Sequence, residues 1–170
     1  ALIDINGLSN LNEIEIDGEK TVLGALVRHH QIEFDTVVKQ RLPLLAHMIQ
    51  YVGDRQVRNR GTLGGSLVQC DPTGEMPLGA LTLGAEVLVI GPKGLRSIKS
   101  EIFFLGSYST EIDLEEMLLK VNYPRHPDYY AFAEVNRRHN DFAVVSVAVV
   151  GDESEDGTWS NVRIGLGGVD

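Results

Sequence analysis

Between Arg58 and Ser66 stand three glycines, two hydroxyl residues and two arginines, flanked by apolar segments. Glycine permits positive φ and lets another group approach the backbone closely. A turn of Gly, Thr and Ser also offers several N–H donors on one side, a concavity suited to an anion. The block Gln56-Val57-Arg58-Asn59-Arg60-Gly61-Thr62-Leu63-Gly64-Gly65-Ser66-Leu67 therefore predicts a loop able to hold a phosphate. It lacks the Gly-Lys-Ser/Thr ending of a P-loop and the GxGxxG spacing of a dinucleotide fingerprint. On spacing alone, a ligand loop and a tight strand–helix turn without a ligand are equally open.

The rest of the chain limits what such a loop serves. A length of 170 residues suits one domain or two small ones, with 43% hydrophobic and 23% charged residues. The net charge of −9 and the absence of any Lys/Arg run beyond two argue against nucleic acid. The single cysteine, Cys70, rules out an internal disulfide and a Cys-ligated cluster within this sequence. No apolar run is long enough to span a bilayer, and no signal peptide opens the sequence. A cytoplasmic protein is the default expectation. The sequence begins on Ala1-Leu2-Ile3-Asp4-Ile5, which reads as the middle of a strand, and stops just after another strand-like run; a piece cut at both ends is expected.

In chain order, residues 2–5 predict a strand and residues 11–16 a hairpin strand before Asp17-Gly18. Thr21 reads as a helix N-cap, with Val22, Leu23, Leu26 and Val27 at helical spacing and an end near His29 and His30. Further helices are predicted over residues 34–40, from Pro43 to a C′ glycine at Gly53, and over 76–83 up to Gly84. Strands are predicted at 86–90 and 95–98 around Gly91-Pro92-Lys93-Gly94, then a short helix at 100–104 and loop at 106–110. A strand from 115 to 121 stops at Pro124. The character changes at 124–128, where a boundary is expected, and strands follow at 129–135, 142–150 and 159–166.

Other candidates have modest readings. Arg55, Arg58 and Arg60 suit a diphosphate or, singly, a solvated face paired with Asp54 or Asp71. Asp71 reads as a local cap, and Glu75 as either a cap or an acceptor for ribose hydroxyls. His29, His30 and His47 have no metal-ligand spacing, and His126 and His139 sit in loop-like stretches. Cys70 reads as a small buried hydrophobe, and the cluster Arg137-Arg138-His139-Asn140-Asp141 as a solvated turn.

The order of these blocks resembles the flavin-binding medium subunit of the molybdenum hydroxylases, the carbon monoxide dehydrogenase and xanthine dehydrogenase flavoprotein family. The resemblance rests on Leu2-Ile3-Asp4-Ile5, Gly24-Ala25, the whole stretch from Gly53 to Ser66, and Asp71-Pro72 with Glu75. It continues through Leu83-Gly84-Ala85-Glu86-Val87, Glu116-Met117-Leu118, Arg137-Arg138 with Asp141-Phe142-Ala143, and Gly167-Gly168-Val169. It implies an α+β fold: the second subdomain of a vanillyl-alcohol-oxidase-like (PCMH-type) FAD domain over residues 1–124, then the start of a smaller α+β domain over 125–170. It implies FAD bound by Thr62, Leu63, Gly64, Gly65 and Ser66, with Glu75 toward the ribityl–adenosine side and Leu118 near the ring. It also implies an oxidoreductase in which FAD relays electrons from [2Fe–2S] clusters of a small subunit, fed by a molybdenum-cofactor large subunit, to an external acceptor.

Three departures bear on that reading. The family's first flavin loop, Ala-Gly-Gly-x-x-Leu, would lie upstream of Ala1, so this stretch by itself is expected to hold FAD weakly or not at all. Ala133 follows Phe132 where many relatives carry lysine, and Val52 stands where some place an aromatic over the flavin. Two other readings remain open at this point: a flavin-free interaction module and a stand-alone flavin oxidase of the same fold.

Overall fold

The segment Glu75–Leu83 is apolar around nearly its whole circumference, so it cannot lie on a surface. In the computed structural model, which describes residues 2–138 and 140–169, this helix is the centre of the molecule. Glu75, Met76, Pro77, Leu78, Gly79, Ala80, Thr82 and Leu83 are all buried. The chain before the helix supplies a hairpin, β1 (Ile14–Asp17) and β2 (Lys20–Gly24), and then short helices. These are α1 (His29–Phe34), α2 (Thr36–Arg41), α3 (Pro43–Met48), α4 (Arg55–Arg60) and α5 (Leu63–Gln69); the central helix is α6. After it come β3 (Glu86–Gly91), β4 (Gly94–Lys99), α7 (Ser100–Phe103), β5 (Phe104–Gly106), β6 (Ser109–Thr110), β7 (Met117–Tyr123), β8 (Tyr129–Asn136), β9 (Ala143–Glu153) and β10 (Trp159–Gly167).

Two main sheets result, and the class is α+β. The first has the order β1-β2-β7-β3-β4 and is antiparallel throughout. Its buried face (Leu23, Val87, Val89, Leu118, Val121) meets Leu44, Leu45 and Met48 of α3, Leu63 and Leu67 of α5, and α6 in one core. The second is the antiparallel sheet β10-β9-β8. Its inner face rests on α6, where β10 carries glycine. A Cβ at Gly165 would stand 2.2 Å from Thr82 Oγ1, and one at Gly167 3.4 Å from Leu78 Cδ2. Phe132 packs edge-on against Tyr51 and His47, tying β8 to the end of α3. Residues 124–128 carry the chain from one sheet to the other. The outer face of the second sheet is apolar: Val135 pairs with Val145, Val149 with Ile164 and Val147 with Leu166.

Four expectations are corrected. Residues 2–5 form no strand: they have no ladder partner, and Leu2 and Ile3 are exposed, while Ala1 lies outside the described residues. Thr21 caps no helix. It is buried inside β2, paired with Tyr123, because Val22 and Leu23 form a strand held between β1 and β7. The histidine pair starts α1 instead of ending a helix. The Gly106–Thr110 region forms the small β5–β6 hairpin, not a loop. The helix expected over 34–40 is present as α2, started two residues later by Asp35, whose carboxylate accepts the N–H of Val37 (2.8 Å) and Val38 (3.0 Å). The helix from Pro43 has proline at its start and Gly53, at φ 46°, just beyond its end, as its sequence predicts.

Candidate functional site

The glycine block is two short helices meeting at an extended corner. Asp54 starts α4, accepting the Val57 N–H at 2.8 Å. Arg58 turns inward: its Nε donates to Glu33 at 2.8 Å, and Nη1 donates to the carbonyls of Val52 (3.1 Å) and Gly53 (2.8 Å). That arginine holds the 52–54 turn and is not available to a ligand. Its partner is Glu33 of α1, not the nearby Asp54 or Asp71. Arg55 is exposed, whereas Arg60 borders a cavity and has no ion-pair partner among the described residues.

At the corner, Thr62 is the N-cap of α5, its hydroxyl accepting the Gly65 N–H at 3.1 Å. The other amides are engaged as well. Leu63 N–H donates to Val27 O (2.9 Å), Gly64 N–H to Ala25 O (2.9 Å) and Ser66 N–H to Thr62 O (3.1 Å). The expected nest of free N–H groups is therefore replaced by pairing with the strand that leaves β2. The two glycines have different duties. Gly64 is pressed onto Ala25, where a Cβ would lie 2.8 Å from that residue's Cβ and carbonyl oxygen. A Cβ on Gly65 would meet only Thr62 Oγ1, at 2.9 Å, and otherwise project into open space.

That space is a cavity of about 780 Å³. One wall is His29, Arg60, Gly61, Thr62, Gly65 and Ser66, and the turn of Val52, Gly53 and Asp54 adjoins it. The opposite wall is Asp71, Thr73, Gly74 and the first turn of α6, with Asn140, Asp141 and Phe142 at the rim. Four of the seven sequence-predicted site residues, Thr62, Gly65, Ser66 and Glu75, meet here. Leu63, Gly64 and Leu118 do not border it: they lie behind the wall in the core, Leu63 fully buried and Leu118 on β7 opposite Val89.

Asp71 acts locally, its carboxylate accepting from the backbone and hydroxyl of Thr73 (2.9 and 2.8 Å). Gly74, not Asp71, is the N-cap of α6. Glu75 is 9% exposed. Burial pushes its carboxyl up to about 7; Glu134 and Asp71 add to this, and its own backbone amide opposes. Cys70 is buried, its Sγ 3.3 Å from Gly106 O, and burial raises its thiol, the behaviour of an inert structural cysteine. Of the polar cluster after β8, Asn140 and Asp141 reach the cavity rim; His139 lies outside the described residues.

His29 escaped the sequence reading. It is 3% exposed, and its Nε2 lies 3.1 Å from Thr62 O and 3.0 Å from Ser66 Oγ. Desolvation, with Arg58 and Arg28 adding to it, lowers its imidazole to about 4, against the hydrogen bond to Thr62, so it is neutral at physiological pH. The signal available in sequence was its position four residues after Ala25 on the segment that pairs with the corner.

A cavity with hydroxyls and one arginine on one side, and the buried carboxyl of Glu75 with the half-buried one of Asp71 on the other, suits an elongated ligand that carries an anion and several hydroxyls. FAD is such a ligand, and the side chain-free face of Gly65 leaves room for it. Among the described residues no three His, Cys, Asp or Glu side chains are grouped to hold a metal, and no helix is long and apolar enough to cross a membrane.

Comparison with known proteins gives the family. The FAD binding domain in molybdopterin dehydrogenase matches residues 1–126. The glyceraldehyde dehydrogenase medium chain of Sulfolobus acidocaldarius is 34% identical over 99% of this chain and 60% of that protein. The carbon monoxide dehydrogenase medium chain of Hydrogenophaga pseudoflava is 34% identical over 97% of this chain and 58% of its own length. Quinoline 2-oxidoreductase from Pseudomonas putida 86 superposes with a TM-score of 0.92 at 35% identity, covering 98% of this chain and 58% of that one. The chain thus spans about three fifths of the length of each of these relatives. It belongs to the FAD-binding domain family of the molybdopterin dehydrogenases, whose cofactor is FAD.

Proposed function

We propose that this chain is the flavin-holding part of a medium subunit and serves as an oxidoreductase component in a complex with an iron–sulfur small subunit and a molybdenum large subunit. The observation that carries this is the cavity between α5 and α6, where Thr62, Gly65, Ser66 and Glu75 converge. When bound, FAD supplies redox chemistry, accepting electrons from an iron–sulfur centre and passing them to a small-molecule acceptor.

The residues of this chain bind and orient. Thr62 and Ser66 present hydroxyls, and Arg60 a guanidinium, on the wall proposed to face the diphosphate. Gly65 allows that group to approach the backbone. Glu75 and Asp71 offer carboxyl oxygens to sugar hydroxyls across the cavity. Leu63 and Gly64 contribute from behind, through packing that fixes the corner, and Leu118 through the core beneath it. No side chain needs to act as nucleophile or general base. The same reading treats residues 125–170 as the beginning of a second domain.

The test is flavin absorbance of the purified full-length protein, followed by assay of molybdenum and iron in what co-purifies. A protein that carries no flavin and takes up none on addition of FAD sinks the proposal. Flavin without molybdenum or iron would instead favour a stand-alone oxidase.

A further inference from the structure

His29 is the nearly buried member of the proposed cofactor wall. We infer that His29 is a positioning residue for the flavin site, holding Ser66 Oγ as an acceptor so that the serine's own hydrogen is directed into the cavity. This rests on the FAD reading above and goes beyond it by giving a role to a residue that need not touch the ligand.

The argument is one of hydrogen-bond polarity. Nε2 of His29 lies within bonding distance of two oxygens, Thr62 O at 3.1 Å and Ser66 Oγ at 3.0 Å. A carbonyl oxygen only accepts, so Nε2 carries the hydrogen. The opposite tautomer would set a nitrogen lone pair against the carbonyl and leave a buried N–H on Nδ1 with no acceptor, since Nδ1 has no partner. With Nε2–H directed at both oxygens, Ser66 Oγ offers a lone pair to the ring. Its hydrogen must then turn elsewhere, and the open direction is the cavity that Ser66 borders.

Two further features serve the same arrangement. The Thr62 carbonyl that takes the imidazole hydrogen also accepts the Ser66 N–H at 3.1 Å, so one ring fixes both ends of the turn. Gly61 makes room for it: a Cβ there would sit 2.7 Å from Nδ1. Burial keeps the ring uncharged, so it holds one hydrogen and one bonding pattern across the physiological range.

The test compares His29→Gln, whose amide N–H can reach the Nε2 position, with His29→Phe, which keeps ring volume and removes the donor. FAD is titrated into the flavin-stripped full-length protein, and the phosphorus resonances of the bound diphosphate are recorded. The expected result is affinity weakened about tenfold or more in His29→Phe, as for loss of a hydrogen bond to a charged group, with shifted phosphorus signals. His29→Gln should stay near the wild type in both readouts. Ser66→Ala, which leaves the His29–Thr62 bond in place, should match His29→Phe even if the phenylalanine variant folds poorly, and the double variant should be no weaker than either single one. Wild-type affinity in Ser66→Ala, or unchanged phosphorus signals in a folded His29→Phe, would overturn the inference. If the wild-type protein itself takes up no FAD, the underlying reading fails instead.

Discussion

The two walls of the cavity are built on opposite principles. On the α5 side the groups of the corner are held from behind: the amides of Leu63, Gly64, Gly65 and Ser66 by Val27, Ala25 and Thr62, and Nε2 of the imidazole by Thr62 and Ser66. What that wall presents is a small, fixed surface whose side chains include the Thr62 and Ser66 hydroxyls and the Arg60 guanidinium. On the α6 side the wall presents carboxyls, and one of them, Glu75, is buried far enough to sit near mid-titration at neutral pH. The contrast separates two tasks. A preorganised donor surface suits a fixed anion, because it needs no rearrangement on binding. A carboxyl whose charge is adjustable suits hydroxyl partners, to which it can donate or accept.

The sharpest way to break this comparison is Gly65→Val. A branched side chain would collide with Thr62 Oγ1 and fill the space in front of the donor wall. Flavin retention is expected to be abolished, read as loss of the visible flavin band per protein; a wild-type ratio would show that the corner is only structural.

Glu75→Gln tests the other wall. Burial holds its carboxyl at about 7, above the ordinary glutamate value of 4.5. For a carboxylic acid a raised pKa favours the protonated fold, so its stabilising effect is present below pH 4.5 and is lost as pH rises through 7. The glutamine variant should match the wild type in stability at pH 4.5 and exceed it above pH 7, by about 3 kcal/mol at most. A gap independent of pH in chemical denaturation would refute the buried, adjustable carboxyl.

Smaller effects follow on the donor side. Arg58→Ala removes the tie from Glu33 to the carbonyls of Val52 and Gly53 and should cost about 2 kcal/mol. Thr62→Ala removes a cap and should cost about 1 kcal/mol, with weaker flavin binding alongside. Arg55→Ala, exposed and outside the cavity, should stay within about 0.5 kcal/mol of wild type with unchanged flavin content. A drop in flavin content there would extend the donor wall beyond α5.

Much of the architecture can be read locally. Pro43 and Gly53 bracket a helix, Gly91-Pro92-Lys93-Gly94 turns β3 into β4, and the valine-rich run at 143–150 forms the central strand of the second sheet. Each rests on a backbone preference that holds whatever the surroundings. Misreadings fall where one apolar spacing fits two structures. Val22 and Leu23 suit a helix face as well as a strand buried between neighbours, and only pairing with β1 and β7 decides it. The glycine block was legible as a candidate site but not as helices, because Thr62 and Asp54 start helices only once the chain around them is fixed.

By itself, the sequence determined the family, since a block as long as Gln56 to Leu67 carries its identity in residue order. Tertiary structure alone decided which residues of the block line the cavity and which pack behind it. Gly64 and Gly65 are neighbours of one type, yet one faces Ala25 and the other the cavity. His29 lies 33 positions before Thr62 and becomes its hydrogen-bond partner only when the segment after β2 folds against the corner. Solvent exposure and hydrogen-bond polarity depend on what is packed alongside, and no local pattern along the chain encodes that.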